Sequence, residues 1–221
     1  MFYIFKNNLL WVHGLPIVIV LAALAIFSFF FFKPLIYVVL ALFLFSVYFF
    51  RNPDRVCKEA IDDTSVLVCP ADGKVIDIVY DKHNGLEGYA QRVSIFLSAF
   101  DVHVNWVPMS GVVKDIVYKK GAFKLAFLPK SSELNERNDL LISDQNGRTI
   151  KVRQIAGLVA RRICCFVKKG DVVKSGQKFG MIRFGSRVDI FLPAEVTLNV
   201  GIGQRVYGGQ TVLGRWSWDL H

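Results

Sequence analysis

Residues 167–210 read VKKGDVVKSGQKFGMIRFGSRVDIFLPAEVTLNVGIGQRVYGGQ, and the stretch holds one eleven-residue phrase twice. Val167, Gly170, Val173, Gly176 and Gln177 recur 33 positions later as Val200, Gly203, Val206, Gly209 and Gln210. V-x-x-G-x-x-V-x-x-G-Q is the pattern of a β-hairpin, with glycines at turn positions that need positive φ. Two copies are too few for a solenoid or propeller. Between them, MIRFGSRVDIFLP (181–193) reads as β-strand on both sides of Gly185-Ser186. A glycine packs nothing and weakens a strand, so its presence there calls for a reason.

The two copies, related by an approximate two-fold, resemble the barrel-sandwich hybrid of biotinyl and lipoyl carrier domains. Such a carrier presents a lysine at a hairpin tip between its halves, and here that place is taken by Gly-Ser. Outward from the repeat, residues 51 onward keep β character. SVLVCP, GKVIDIVY, QRVSIFLS, VHVNWVP, GVVKDIVY, RTIKVRQIAG and RRICCFV are short β-rich runs, separated by turn signals such as Pro-Ala-Asp-Gly and Asn146-Gly147. FKLAFLPKSSELNERNDLL (123–141) lacks clean alternation and is expected to be a long loop.

The first fifty residues are different in kind. They contain no Asp or Glu, and their only Lys or Arg are Lys6 and Lys33. Residues 15–32 and 35–50 are nearly uninterrupted apolar runs split by Lys33-Pro34, where a helix must break. Each run spans roughly 24–27 Å as a helix, against about 30 Å of bilayer hydrocarbon. The reading is a hydrophobic helical hairpin (1–50) preceding a mainly β domain (51–221). A cleaved signal peptide is disfavoured because a second apolar run follows the first.

The β portion holds 25 of the chain's 27 basic residues and all 18 acidic ones, a net charge of +7. Arg51, Arg55 and Lys58, directly after the second apolar run, favour the cytoplasmic face of the inner membrane, with attraction to anionic lipid headgroups. No basic stripe interleaved with aromatics points to nucleic acid. Cys57, Cys69, Cys164 and Cys165 show no C-x-x-C spacing and read as free thiols, the vicinal pair as core. No metal site is expected, because the four histidines are dispersed and no acidic cluster has ligand spacing.

Three places draw attention as chemistry. Asp72 sits in the turn of CPADGKV before a strand; His103 stands in the alternating run FLSAFDVHVNWVPMSG; Gly185-Ser186 interrupts a strand. Together with FFRNPDR (49–55), NER (135–137), QIAGLVARRI (154–163) and FGSRVDIFLP (184–193), these segments resemble the phosphatidylserine decarboxylase proenzymes, in particular their short, membrane-anchored form. The resemblance runs from about Phe50 to Trp216.

It implies self-cleavage between Gly185 and Ser186, giving a large chain (1–185) and a small chain (186–221) that stay together as a heterodimer. Ser186 becomes a covalent pyruvoyl cofactor, which forms a Schiff base with the amine of phosphatidylserine and yields phosphatidylethanolamine. Ser186, His103 and Asp72 are then the catalytic residues, with Asp72 orienting the imidazole or stabilising its charge. The family's longer members carry a second histidine three positions beyond the one matched by His103, where this chain has Trp106. A membrane-tethered scaffold without catalysis is the competing reading.

Overall fold

The computed structural model describes residues 9–81, 83, 85–121, 135–157, 163–183 and 186–217. The chain divides into two units, Met1–Asp54 and Arg55–His221.

The first unit is helical: a single turn α1 (Leu10–His13), then α2 (Leu15–Phe31) and α3 (Leu35–Phe49). The helices separate at Lys33-Pro34, with Pro34 as the N-cap of α3. Their only interior hydroxyls are satisfied locally, Ser28 Oγ donating to the Phe32 carbonyl and Ser46 Oγ to the Leu42 carbonyl. An apolar seam lined by Leu21, Ala25, Val39 and Phe43 separates the two helices. Large apolar side chains such as Phe30, Phe31 and Tyr37 face outward. No helix among the described residues is long and apolar enough to cross a membrane.

The second unit is mainly β, as the sequence predicts. Among the described residues a short helix α4 (Lys58–Asp62) leads into fourteen strands. These are β1 (Val66–Val68), β2 (Gly73–Tyr80), β3 (Gln91–Leu97), β4 (Val104–Trp106), β5 (Gly111–Lys119), β6 (Arg137–Ser143) and β7 (Thr149–Ala156). They continue with β8 (Ile163–Cys165), β9 (Val172–Val173), β10 (Lys178–Ile182), β11 (Ser186–Leu192), β12 (Val196–Leu198), β13 (Arg205–Val206) and β14 (Val212–Trp216). An eight-stranded sheet runs β13-β2-β3-β11-β7-β6-β5-β9, and two three-stranded sheets run β1-β14-β12 and β4-β10-β8. The sheets are open, with no closed barrel among the described residues. The core comprises Val93, Ile95, Ile150, Val152, Val188 and Ile190, with Val167, Val173, Val200 and Val206 of the repeat packed in the same cluster. Residues 137–141 are not loop but the start of β6, whose Leu140 and Ile142 alternate inward; residues 123–134 of the expected loop lie outside the described ones.

The order of the sheets exposes an internal two-fold larger than the 33-residue repeat. The repeat's short strands, β9 and β13, cap opposite ends of the large sheet. Inside them stand β5 and β2, then β6 and β3, with β7 and β11 paired antiparallel at the centre. The small sheets match as well, β1 with β4, β14 with β10 and β12 with β8. β2 and β5 share a register shift one residue after Val75 and Val113.

The sequence carries this second duplication at an offset of 38. DTSVLVCPADGKVIDIVY (63–80) and DVHVNWVPMSGVVKDIVY (101–118) agree at nine of eighteen positions. Backbone hydrogen bonds repeat with them. Trp106 N donates to Pro70 O and Val68 N to Pro108 O, each at 2.9 Å. Gly209 N donates to Cys69 O and Gly176 N to Val107 O, also at 2.9 Å.

One half is therefore continuous, β4 to β10. The other is assembled from β1–β3 and β11–β14, with the continuous half inserted between Leu97 and Ser186. Those two residues are register partners, so they form the open tip of what would be an ordinary hairpin.

Candidate active site

Ser186 is the first residue of β11, in the eight-stranded sheet, and the preceding strand β10, in a three-stranded sheet, ends at Ile182. Gly185 itself lies outside the described residues. Ser186 pairs with Leu97 on one side and Ala156 on the other. It is fully buried, and its hydroxyl has no hydrogen-bond partner among the described residues. An unsatisfied buried polar group costs about 1–3 kcal/mol. Such a group is uncommon enough in native folds to call for a functional account.

His103 directly precedes β4 rather than lying within it. The ring is completely buried, and Nδ1 lies 2.9 Å from the Asp101 carbonyl. A carbonyl only accepts, so Nδ1 carries the proton in that bond and the neutral ring presents Nε2 as its basic nitrogen. Asp101 is itself fixed: its carboxylate accepts from the Ser98 amide at 2.8 Å and hydroxyl at 2.7 Å, and from Arg205. The His103 carbonyl accepts from Ile182 N at 3.1 Å, tying the histidine to the last residue of the strand that leads towards Ser186.

Asp72 is in the expected turn, immediately before β2, and is buried. Its carboxylate is held bidentately by Arg55 and accepts from the Gly208 amide at 2.9 Å. The Asp101 carbonyl supplies an orienting contact to His103, while the Asp72 carboxylate is engaged by Arg55 and Gly208. Arg55, expected among the flanking positive charges, is instead a site residue. It also donates to the Gly208 carbonyl at 2.9 Å, and its guanidinium lies 4.8 Å from the Trp106 ring centre. The Cys69 thiol is pushed up by burial and then by the Asp72 charge, which keeps it protonated and inert.

A chain of buried amides adjoins these groups. Asn138 donates to Gln154 at 3.0 Å, and Gln154 donates to Asn105 at 2.8 Å. Gln154 lies two residues before Ala156 on the same face of β7, and Ala156 is the strand neighbour of Ser186. The Ala156 carbonyl accepts from Asn135 Nδ2 at 2.7 Å and its amide donates to Glu136 O. The Asn-Glu-Arg motif thereby braces the strand beside the serine. Gln154 and Asp101 stand within QIAGLVARRI and FLSAFDVHVNWVPMSG, but nothing in the sequence singled them out as site residues. Arg55 was visible in FFRNPDR, but its charge was read as a membrane flank.

Chemically, the site offers a desolvated hydroxyl at a strand start, a buried imidazole with one nitrogen committed, and a carboxylate–guanidinium pair. It is equipped for acyl transfer and proton transfer out of water's reach.

Comparison with known proteins agrees with this geometry. A family model described as phosphatidylserine decarboxylase matches residues 42–214. A phosphatidylserine decarboxylase proenzyme of Syntrophus aciditrophicus is 49% identical over 165 residues, 74% of this chain and 76% of its own. Proteins of the same name from Desulfotalea psychrophila and Carboxydothermus hydrogenoformans are 43% and 48% identical over 166 and 167 residues, each match covering 75% of this chain and 76% of the relative.

Proposed function

Because the chain belongs to the phosphatidylserine decarboxylase family, we propose that it converts phosphatidylserine to phosphatidylethanolamine with a pyruvoyl group formed from its own Ser186. The observation that carries this reading is the buried, unpartnered Ser186 hydroxyl at the first position of β11. A hydroxyl in that setting is stripped of water and of competing donors, the condition under which it can act as a nucleophile on the carbonyl just before it.

Ser186 Oγ attacks the Gly185 carbonyl carbon, the peptide C–N bond breaks, and the chain is carried as an ester on Oγ. Removal of the Ser186 α-proton then expels the Gly185 carboxylate by β-elimination. Tautomerisation and hydrolysis of the resulting dehydroalanine release ammonia and leave a ketone. Glycine at 185 leaves the attacked carbonyl unhindered. His103, with Nδ1 donating to the Asp101 carbonyl, is assigned proton transfer through Nε2. Asp72 is assigned the charge balance of the cleft, held in place by Arg55. The pyruvoyl group supplies a ketone that condenses with the lipid amine and accepts the electron pair left as carbon dioxide departs.

Strand order supports a stable two-chain product. Within residues 186–221, β11 lies between β3 and β7, β14 pairs with β1 and β13 pairs with β2, so scission leaves the small chain woven into the large one. The duplicated strands and turns support a barrel-sandwich-like relationship for the β unit. We assign the apolar faces of α2 and α3 to shallow insertion in the cytoplasmic leaflet of the inner membrane, from the outward-facing phenylalanines and the helix lengths.

Intact mass measurement tests the reading. The purified protein is expected as a 36-residue small chain with a blocked, carbonyl-bearing first residue plus a large chain. Ser186→Ala is expected to remain a single 25.0 kDa chain without turnover. An unbroken wild-type chain that still released carbon dioxide from phosphatidylserine would overturn it.

A further inference from the structure

The internal two-fold relates the surroundings of Ser186 to a second place on the molecule. That place is a cavity of about 900 Å³ whose wall includes Val66, Met109, Ser110, Gly111, Arg148 and Ser175. Taken through the two-fold, these correspond to Val104, Ala71, Asp72, Gly73, Ser186 and Gly208. One hydrogen bond survives the mapping: Ser175 N donates to Ser110 Oγ at 3.0 Å, as Gly208 N donates to Asp72 Oδ1. His103 maps to Ser65. Every reactive group has therefore been replaced at the equivalent positions, which line an open cavity.

The replacements follow a chemical trend. Ser186, Tyr207 and Ile76 of the catalytic side become Arg148, Lys174 and Lys114. Conversely Lys74 and Arg205 become Val112 and Val172, the latter 76% exposed. Ile61 of α4, 67% exposed, adds to this apolar lip. Arg148 is largely engaged, by Asp144 at 2.6 Å and by the Trp216 ring at 4.9 Å. Two exposed lysines are left beside an apolar rim. Cations close to exposed aliphatic side chains match a phosphodiester that has acyl chains behind it, and match a fully hydrated anion poorly.

The geometry points to this cleft as a non-catalytic site for the phosphodiester head of an anionic glycerophospholipid presented by a bilayer. It rests on the lipid-acting function proposed above. It is a second, silent headgroup position made by the duplication that made the first.

The test uses the full mature protein in phosphatidylcholine vesicles containing a phosphatidylglycerol analogue with a diazirine on its headgroup. After irradiation, crosslinked peptides are mapped by mass spectrometry, and phosphatidylserine turnover is measured on the same preparation. Crosslinks are expected on 109–114 and 172–175. They should fall about thirtyfold or more in the Lys114→Glu/Lys174→Glu variant, from about 1 kcal/mol lost for each of two lysines, with turnover retained. The milder Lys114→Gln/Lys174→Gln pair should give an intermediate loss and guards against misfolding. Turnover without crosslinks on these peptides would overturn the site while leaving the function intact. Crosslinks indifferent to charge reversal, or displaced by millimolar inorganic phosphate, would overturn it equally.

Discussion

The turns Pro70–Gly73 and Pro108–Gly111 occupy equivalent places in the two halves and begin and end on the same residues. One holds a carboxylate buried against Arg55; the other holds an exposed serine that does no more than cap a neighbouring amide. Likewise His103 answers to Ser65, and Trp106 to Val68. The backbone frame is common to both halves, and what separates a reactive cleft from a silent one is a few side chains. Gly73 and Gly111 show the shared constraint: a Cβ at either would come within 2.1 Å of Phe96 O or 2.4 Å of Ser143 O. The fold demands those glycines in both copies, whereas Asp72, His103 and Ser186 are demanded by neither strand nor turn.

If that division is right, the largest asymmetry lies at Asp72. Asp72→Asn leaves the Arg55 guanidinium buried with its charge uncompensated, and loss of one partner of a buried pair costs about 3–5 kcal/mol. Thermal unfolding should register this, together with failure of self-cleavage. Ser110→Ala, at the equivalent position, should cost about 1 kcal/mol and leave cleavage unchanged. Adding Arg55→Met to Asp72→Asn should restore most of the stability without restoring cleavage. A double variant that regained both would reduce Asp72 to a structural ion-pair partner.

Gly208 sharpens the contrast at intermediate size. Its image is Ser175, yet a Cβ at 208 would stand 2.3 Å from Trp106 Cε3. Val68 replaces that indole in the other half, which is why serine is accommodated there. Gly208→Ser should therefore destabilise by about 1–3 kcal/mol, the usual range for overpacking. Trp106→Val should relieve much of it. Melting curves of the two single variants and the double give the coupling directly; additive effects would mean that the clefts differ by more than this contact.

Much of this was legible in the sequence. The helical break follows from Lys33-Pro34, the positive-φ turns of the repeat from the glycine spacing, and the Asp72 turn from Pro-Ala-Asp-Gly; the repeat's short strands pair outside it, with β5 and β2, and not as hairpins of their own. The 38-residue duplication was present in plain letters but at another offset, so matching at a single fixed spacing found half of the symmetry. The interruption of one half by the other has no local signature at all. It depends on Leu97 and Ser186 being strand partners across 88 intervening residues, with Ser186 at the first position of β11. Arg55 was misread for a simpler reason. A charge beside an apolar run looks like a membrane flank until a buried carboxylate is found to neutralise it.

The smallest expected effect concerns a tie between the halves. Glu87, in the link between β2 and β3 of the divided half, reaches Lys151 at 2.7 Å and Arg153 at 2.8 Å on β7 of the continuous one. It holds a left-handed φ of 57°, a strained conformation for a side-chain-bearing residue. Burial alone would raise its carboxyl, but hydrogen bonds and charge from Arg153 and Lys151 prevail and bring it from 4.5 down to about 2. With the folded value below the unfolded one, the unfolded chain binds more protons between those limits. The tie's contribution is then complete above about pH 4.5 and fades as pH falls towards 2. Glu87 is half exposed, so screening holds the gain to about 1 kcal/mol or less. Glu87→Gln should lower the melting temperature slightly at pH 7, and the gap should close on acidification through that window. A gap independent of pH would mean that β11 and β7 alone hold the halves together, with the ion pairs as bystanders.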